Sequence, residues 1–420
     1  MKTDNLDKLI LSPNDHKKLG RELDLFTFSD VVGKGLPLWT PKGSVIRREL
    51  ERFIVDIETS WGYQHVYTPD IAKLDLYEKS GHYPYYKNSM YAPIEIDDEK
   101  FMLRPMTCPH HFELYLTRPR SYRELPIRFA ELAKLYRYEQ SGELMGLLRV
   151  RSFCLADAHI ICTKDQTSAE IDKVLDLIEH ATSVLGLEKN KDYSYRLSLG
   201  DRSDEKKYYK DDQAWDQAED ILRKALQSRN TKFLEASAEA AFYGPKIDIQ
   251  MVNANGKEDT AFTVQYDFVM PKRFGLTFID EKGMEQGPVV IHRSSIGAVE
   301  RIIAFLIEKY HGNFPVWLSP VQVKILPISD KNIDYAKQIA DKLKQENVRV
   351  EIDERNETLQ AKIRDAQLEK VPYMLVIGNR EQESLSLSLR LRSGEEKKEL
   401  KLEEFVTEIK QKIADKSLQL

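Results

Sequence analysis

The stretch Phe314-Pro-Val-Trp-Leu-Ser-Pro320 constrains the fold more than any other part of this chain, because the hydrophobic pattern changes across it. Upstream, short strands form hairpins with amphipathic helices inserted between them, which predicts an α+β domain. Downstream, strands at 321–328, 348–353, 373–378 and 385–392 alternate with helices at 331–346, 358–370 and 402–416. That alternation predicts a smaller α/β domain. The expected organisation is an N-terminal extension over 1–32, a first domain over 33–314 and a second over 315–420.

Within the first domain a helix is predicted over 42–60, with Ile46, Leu50, Phe53, Ile54 and Ile57 on one face and Ser44 as its N-cap. Residues 63–69 read as a strand ended by Pro69, and 77–91 as a tyrosine-rich loop. A strand within 127–139, a glycine-bearing loop at 140–146 and a return strand at 147–153 make a hairpin. Further strands are expected at 242–252, 260–268 and 288–292, and helices at 166–185, 211–228 and 297–310.

Composition excludes several classes. With 420 residues and 41% hydrophobic content the chain can bury a sizeable core, and no run of about 18 apolar residues suggests a membrane span. Three cysteines, Cys108, Cys154 and Cys162, and an N-terminus without an apolar signal core point to a cytoplasmic protein with no membrane partner. Against 63 basic residues stand 68 acidic ones, and the second domain is balanced, so the basic excess of a general DNA binder is absent.

Arginine is the first chemical signal. Arg137, Arg149, Arg151 and Arg301 offer forked cations suited to phosphate, although for isolated arginines surface ion pairs are the simpler reading. Neither glycine-rich phosphate loop occurs, so a bound nucleotide would be held by side chains. Cys108, His159 and His292 can ligate zinc, yet they lie 51 and 133 residues apart, and by spacing alone a buried thiol and two hydrogen-bonded histidines are the simpler reading.

Read together, the segments resemble the class II aminoacyl-tRNA synthetases, and among them the threonyl-tRNA synthetase family. The likeness is carried by Met106-Thr-Cys-Pro109, Tyr136-Arg-Tyr-Glu139, Arg149-Val-Arg-Ser-Phe153, Asp157-Ala-His159, Phe242-Tyr-Gly-Pro-Lys-Ile-Asp248, Thr263-Val-Gln265, Val290-Ile-His-Arg293 and Gly297-Ala-Val-Glu-Arg301. It implies a catalytic domain on an antiparallel sheet followed by an α/β anticodon-binding domain. It also implies a homodimer joined through the helix and strand ending at Pro69.

The implied activity is that of a threonine–tRNA ligase, which joins threonine to its tRNA through an adenylate at the expense of ATP. Cys108, His159 and His292 would hold zinc; Asp157, Tyr243, Thr263 and Gln265 would contact the amino acid or its adenylate. Arg137 would hold the α-phosphate and Arg301 the γ-phosphate, with Glu139 near the adenine, Arg149 and Lys246 as further contacts and magnesium bridging the phosphates. His82 would stand near the tRNA's terminal ribose, and Asn356, Glu381 and Arg390 would contact the anticodon. Two alternatives stay open: a prolyl or seryl relative, and a tRNA-binding regulator without catalysis.

Departures from the family pattern occur at Thr107, His110, Cys154, Leu155, Ala156, Thr260, Phe262 and Ala298. They bear on fine substrate contacts, and His110 is expected either to add a ligand or to crowd the site. No segment long enough for the family's N-terminal editing module is visible, so charging with serine is expected at a measurable rate.

Overall fold

The computed structural model describes residues 12–420, so residues 1–11 of the expected extension lie outside the described part. The chain divides into two compact units, but not at the consecutive border that the pattern change suggests. Residues 28–37 and 51–305 form one unit; 12–27, 38–50 and 306–420 form the other.

The first of these units is built on an eight-stranded sheet. In chain order its strands are β1 (Gln64–His65), β2 (Ile127–Tyr136), β3 (Ser152–Cys162), β4 (Tyr193–Ser198), β5 (Phe233–Ala236), β6 (Lys246–Val252), β7 (Glu258–Asp267) and β8 (Val289–Ala298). Their spatial order is β5-β4-β6-β7-β8-β3-β2-β1, antiparallel throughout except for the two edge pairings. Helices Thr167–Val184 and Asp212–Ser228 are the insertions expected between strands. The architecture is the α+β type that the hairpins predict.

Local expectations need four corrections, the first being that the tyrosine-rich stretch 77–91 is not a plain loop but carries the end of helix Leu74–Lys79, the short helix His82–Tyr85 and a single helical turn at Lys87–Ser89. The return strand of the hairpin does not begin at 147; β3 starts at Ser152, runs to Cys162 and pairs with β2 along its whole length. The helix over 41–60 buries the predicted stripe of Ile46, Leu50, Phe53 and Ile54, but starts at Pro41. Its cap is therefore Thr40, whose hydroxyl accepts the Gly43 N–H at 3.2 Å, and not Ser44. Lastly, β8 continues six residues beyond His292. It bulges between Ser294 and Ala298 and turns into helix Val299–Tyr310 at Gly297, where φ is +73° and a Cβ would stand 2.2 Å from the Ala261 carbonyl oxygen.

The other unit contains a five-stranded sheet of β9 (Val323–Pro327), β10 (Val350–Ile352), β11 (Tyr373–Ile377), β12 (Leu387–Leu391) and β13 (Glu396–Leu400) in the order β10-β9-β11-β12-β13. Its first three strands are parallel and the last two antiparallel. Helices Ile333–Gln345 and Leu402–Ala414 close the core of Val323, Ile325, Ile339, Leu343, Leu375 and Phe405.

Candidate functional site

Side chains on a strand alternate between faces, and directly opposed residues of neighbouring strands share a face. The register of the first sheet therefore lines up one row of chemistry: Phe129 opposite His159, His159 opposite His292, His292 opposite Gln265, and Gln265 opposite Lys246. The next row sets Glu131 beside Asp157 and Asp157 beside Ser294. Over this face opens a cleft of about 780 Å³. It is lined by all thirteen expected catalytic, substrate, nucleotide and metal residues, from His82 to Arg301.

The lining of the cleft includes a metal-capable trio. Cys108 comes from the first turn of helix Cys108–Tyr115 and the two histidines from β3 and β8. One ligand atom from each of the three lies within 4.8 Å of the others, and all three residues are buried. His159 Nδ1 stands 2.8 Å from His111 Nδ1, and His292 Nε2 stands 2.7 Å from an Asp267 oxygen. Burial pushes the Cys108 thiol up and holds His159 well below the ordinary imidazole value, so histidine is presented as the neutral ring that a metal requires. A thiol and two imidazoles converging on one point, each ring anchored through its other nitrogen, form a donor set that fits zinc and leaves a coordination position open.

Beside the trio, Tyr243 stacks on His292 with ring centroids 4.9 Å apart, and its hydroxyl hydrogen-bonds Gln265. Gln265 Nε2 in turn donates to Thr263 Oγ1 at 3.0 Å. Burial raises the Asp157 carboxyl above its ordinary value, although His111 and His292 pull the other way. Lys246 sits between both oxygens of the buried Asp248, at 2.9 and 3.0 Å.

Three arginines also gather on the cleft lining. Arg137 Nε donates to the Pro105 carbonyl at 3.2 Å, and its guanidinium lies over the Phe153 ring. Arg301 donates from Nε to the Leu148 carbonyl at 3.0 Å and from Nη1 to that of Thr260. Arg149 is paired with Glu139 at 2.8 Å. His82 is buried against Ser80 Oγ at 2.7 Å, and burial pushes its pKa down to about 3.

Of the departures, Leu155, Thr260, Phe262 and Ala298 line the cleft. His110 does not, and it is no member of the metal-capable trio. It points to the other side of the helix, beside the Tyr77 ring, with both ring nitrogens buried and without a partner. Three buried residues next to the trio, His111, Glu131 and Asp267, escaped the sequence reading. Two signals were available: His111 lies one helical turn after Cys108, and Glu131 shares the alternation of Arg137.

The anticodon candidates lie in the other unit. Asn356 is exposed on the loop after β10. Glu381 accepts the Gly378 N–H at 2.9 Å, and Arg390 pairs with Glu396 across β12 and β13.

Comparison with known proteins identifies the family of this fold. The tRNA synthetase class II core domain family (G, H, P, S and T) matches residues 91–310, and the anticodon binding domain family matches 322–412. The threonine–tRNA ligase of Geobacillus kaustophilus is 48% identical over 97% of this chain, and that of Staphylococcus aureus is 48% identical over 93%. The RNA binding domain of threonyl-tRNA synthetase from Cryptosporidium parvum superposes with a TM-score of 0.88 at 35% identity, over 94% of this chain and 98% of the other. The chain belongs to the threonyl-tRNA synthetase family. ThrRS-1 of Aeropyrum pernix superposes with a TM-score of 0.85 at 29% identity, over 96% of this chain and 97% of that one. This family member spans about 62% of the length of the curated Geobacillus relative. By the residues matched, its eight-stranded sheet belongs to the class II core and its five-stranded sheet to the anticodon-binding module. Among the described residues no helix is long and apolar enough to cross a membrane.

Proposed function

We propose that this chain activates threonine with ATP and transfers it to threonine tRNA, with zinc reading the amino acid. One observation carries the proposal: a Cys-His-His donor set and a group of arginines occupy the same cleft. Bound to the trio, zinc would supply open positions for the amino and hydroxyl groups of threonine, which isosteric valine cannot fill.

The chain's own residues then act mainly by placement and charge. Asp157, destabilised as a buried carboxylate, gains from a substrate ammonium beside it. Tyr243, Gln265 and Thr263 form a hydrogen-bonded wall for the amino acid and adenylate. Arg137 and Arg301 would face the α- and γ-phosphates as the threonine carboxylate attacks the α-phosphorus and pyrophosphate leaves; magnesium would add positive charge to those phosphates. Glu139, Arg149 and Lys246 complete the nucleotide contacts. In transfer, the terminal ribose hydroxyl of the tRNA attacks the adenylate carbonyl and AMP departs. His82, neutral at physiological pH, stands ready to pass that proton onward.

Asn356, Glu381 and Arg390 read the anticodon in this proposal, since splayed bases are recognised by a few polar side chains without a strongly basic surface. The chain acts in the cytoplasm as a homodimer, and the 94% exposure of Tyr67 in the segment ending at Pro69 supports an interface there.

Zinc content and ATP–pyrophosphate exchange with threonine, serine, valine and proline test the reading together. About one zinc per chain, with exchange strong for threonine, weaker for serine and absent for valine, is expected. Exchange driven by proline or serine alone would give the site to a class II relative, and no exchange at all would leave an RNA-binding protein without catalysis.

A further inference from the structure

A neutral imidazole carries its proton on one of two nitrogens, and only the bare nitrogen can bind a metal. Neither histidine of the trio makes that choice unaided. For His292 the choice falls to Asp267, which is fully buried and whose Oδ2 lies 2.7 Å from His292 Nε2. The other oxygen, Oδ1, accepts the backbone N–H groups of Val269 and Met270 at 2.9 Å each, so the carboxylate is locked in place. With Oδ1 taken up by two backbone donors, Oδ2 faces the ring as an acceptor, so the proton belongs on His292 Nε2 and the lone pair on Nδ1.

For His159 the control runs through two residues. A Glu131 oxygen lies 3.2 Å from His111 Nε2, while Arg104 Nη1 and the Thr68 hydroxyl donate to the same carboxylate at 3.0 and 2.8 Å. With His111 Nε2 donating to Glu131, His111 Nδ1 is left to accept. The atom 2.8 Å from it is His159 Nδ1, which must then carry the proton. His159 is thereby left with a bare Nε2.

We infer that Glu131, His111 and Asp267 are positioning residues that set the tautomers of both metal-binding histidines, so that His159 offers Nε2 and His292 offers Nδ1 to zinc. The inference rests on the zinc site proposed above and adds the groups that make it competent before any metal arrives. Partners of this kind hold ring orientation and ligand basicity, and their loss typically weakens metal binding by 10–100-fold.

The test uses the whole chain, stripped of metal, with zinc alone as the probe and affinity read by competition with a chelator. His111→Phe removes the relay while keeping a ring in the space, and about 10–100-fold weaker zinc binding is expected. His111→Asn restores an oxygen acceptor near the position of Nδ1 and is expected to recover most of that affinity, which a purely space-filling role for His111 would not allow. If His111→Phe does not fold, judged by cooperative melting of the metal-free protein, Glu131→Gln is measured in its place with the same expected loss. Ring nitrogen NMR signals of the metal-free parent should show His159 protonated at Nδ1. Protonation at Nε2 would overturn the inference, as would a His111→Phe protein that binds zinc as tightly as the parent. A parent that takes up no zinc would instead overturn the zinc site itself, and the inference with it.

Discussion

Arg137 and Arg301 are both held by backbone carbonyls, Arg137 by Pro105 and Arg301 by Leu148 and Thr260, whereas Arg149 is held by the Glu139 carboxylate. A guanidinium fixed by neutral oxygens keeps its charge for an incoming anion, and its planar fork matches phosphate. Truncating Arg137 or Arg301 to alanine is accordingly expected to lower kcat for threonine-dependent pyrophosphate exchange by roughly 10²–10³-fold. Arg149→Ala is expected to do less, because that charge is already shared with Glu139. Exchange rates of the three single variants, measured at saturating ATP and threonine, check the ranking; a full-strength Arg137→Ala enzyme would remove this residue from the phosphate site.

At the scale of elements, β8 carries two tasks on opposite faces. His292 turns to the metal-capable trio, while its neighbour Arg293 is fully buried, bonded to Glu58 Oε1 at 2.6 Å and lying 4.0 Å over the Tyr63 ring. Burial alone would raise the Glu58 carboxyl, but Arg293, His65 and Ser295 outweigh it and hold it below the ordinary carboxylate range. The pair ties the C-terminal part of helix Pro41–Ser60 to the strand that bears a metal-binding histidine. Removing one partner strands a buried charge, so Glu58→Ala is expected to lose about 3–5 kcal/mol in urea unfolding. Replacing both, with Glu58→Leu and Arg293→Met, is expected to recover much of that loss. Equal losses for the single and double variants would mean that the damage is packing rather than charge.

Across the whole molecule, two buried groups with depressed folded values, His82 and Glu131, make stability fall as pH falls, while Asp157, raised by burial, works against them. Burial, ahead of the electrostatic influence of nearby His292, Arg137 and Arg273, holds His82 at about 3 in the folded chain against 6.5 ordinarily. Although burial raises the Glu131 carboxyl, His111, Thr68 and Arg104 bring it down to about 2 against 4.5. Both folded values are depressed, so the unfolded chain binds more protons as pH falls, and the stability each contributes is present above its ordinary value and lost below it. The urea midpoint is expected to fall from about pH 6.5 downward, and Glu131 alone accounts for ~3 kcal/mol between pH 5 and 2. His82→Gln should flatten the upper part of that slope; an unchanged profile would show that His82 is not neutral in the folded protein. At this scale, too, the limits of reading the chain are plain. The helix stripe Ile46-Leu50-Phe53-Ile54 and the strand–helix alternation after Pro320 were legible because periodicity is a local property, whereas Cys108, His159 and His292 were singled out as a set only by the resemblance, their spacing giving no support. The start of β3 at Ser152 was not legible, because residues 147–151 are as apolar as a strand and only pairing with β2 decides which residues join the ladder. The packing of 12–27 and 38–50 with 306–420 was hidden for the same reason. So the sequence by itself determined the kinds of element and the chemical groups available. Only the tertiary structure decided that Glu131, His111 and His159 stand in line and that Asp267 faces His292, because hydrogen-bond partners drawn from distant segments are settled by long-range register and packing.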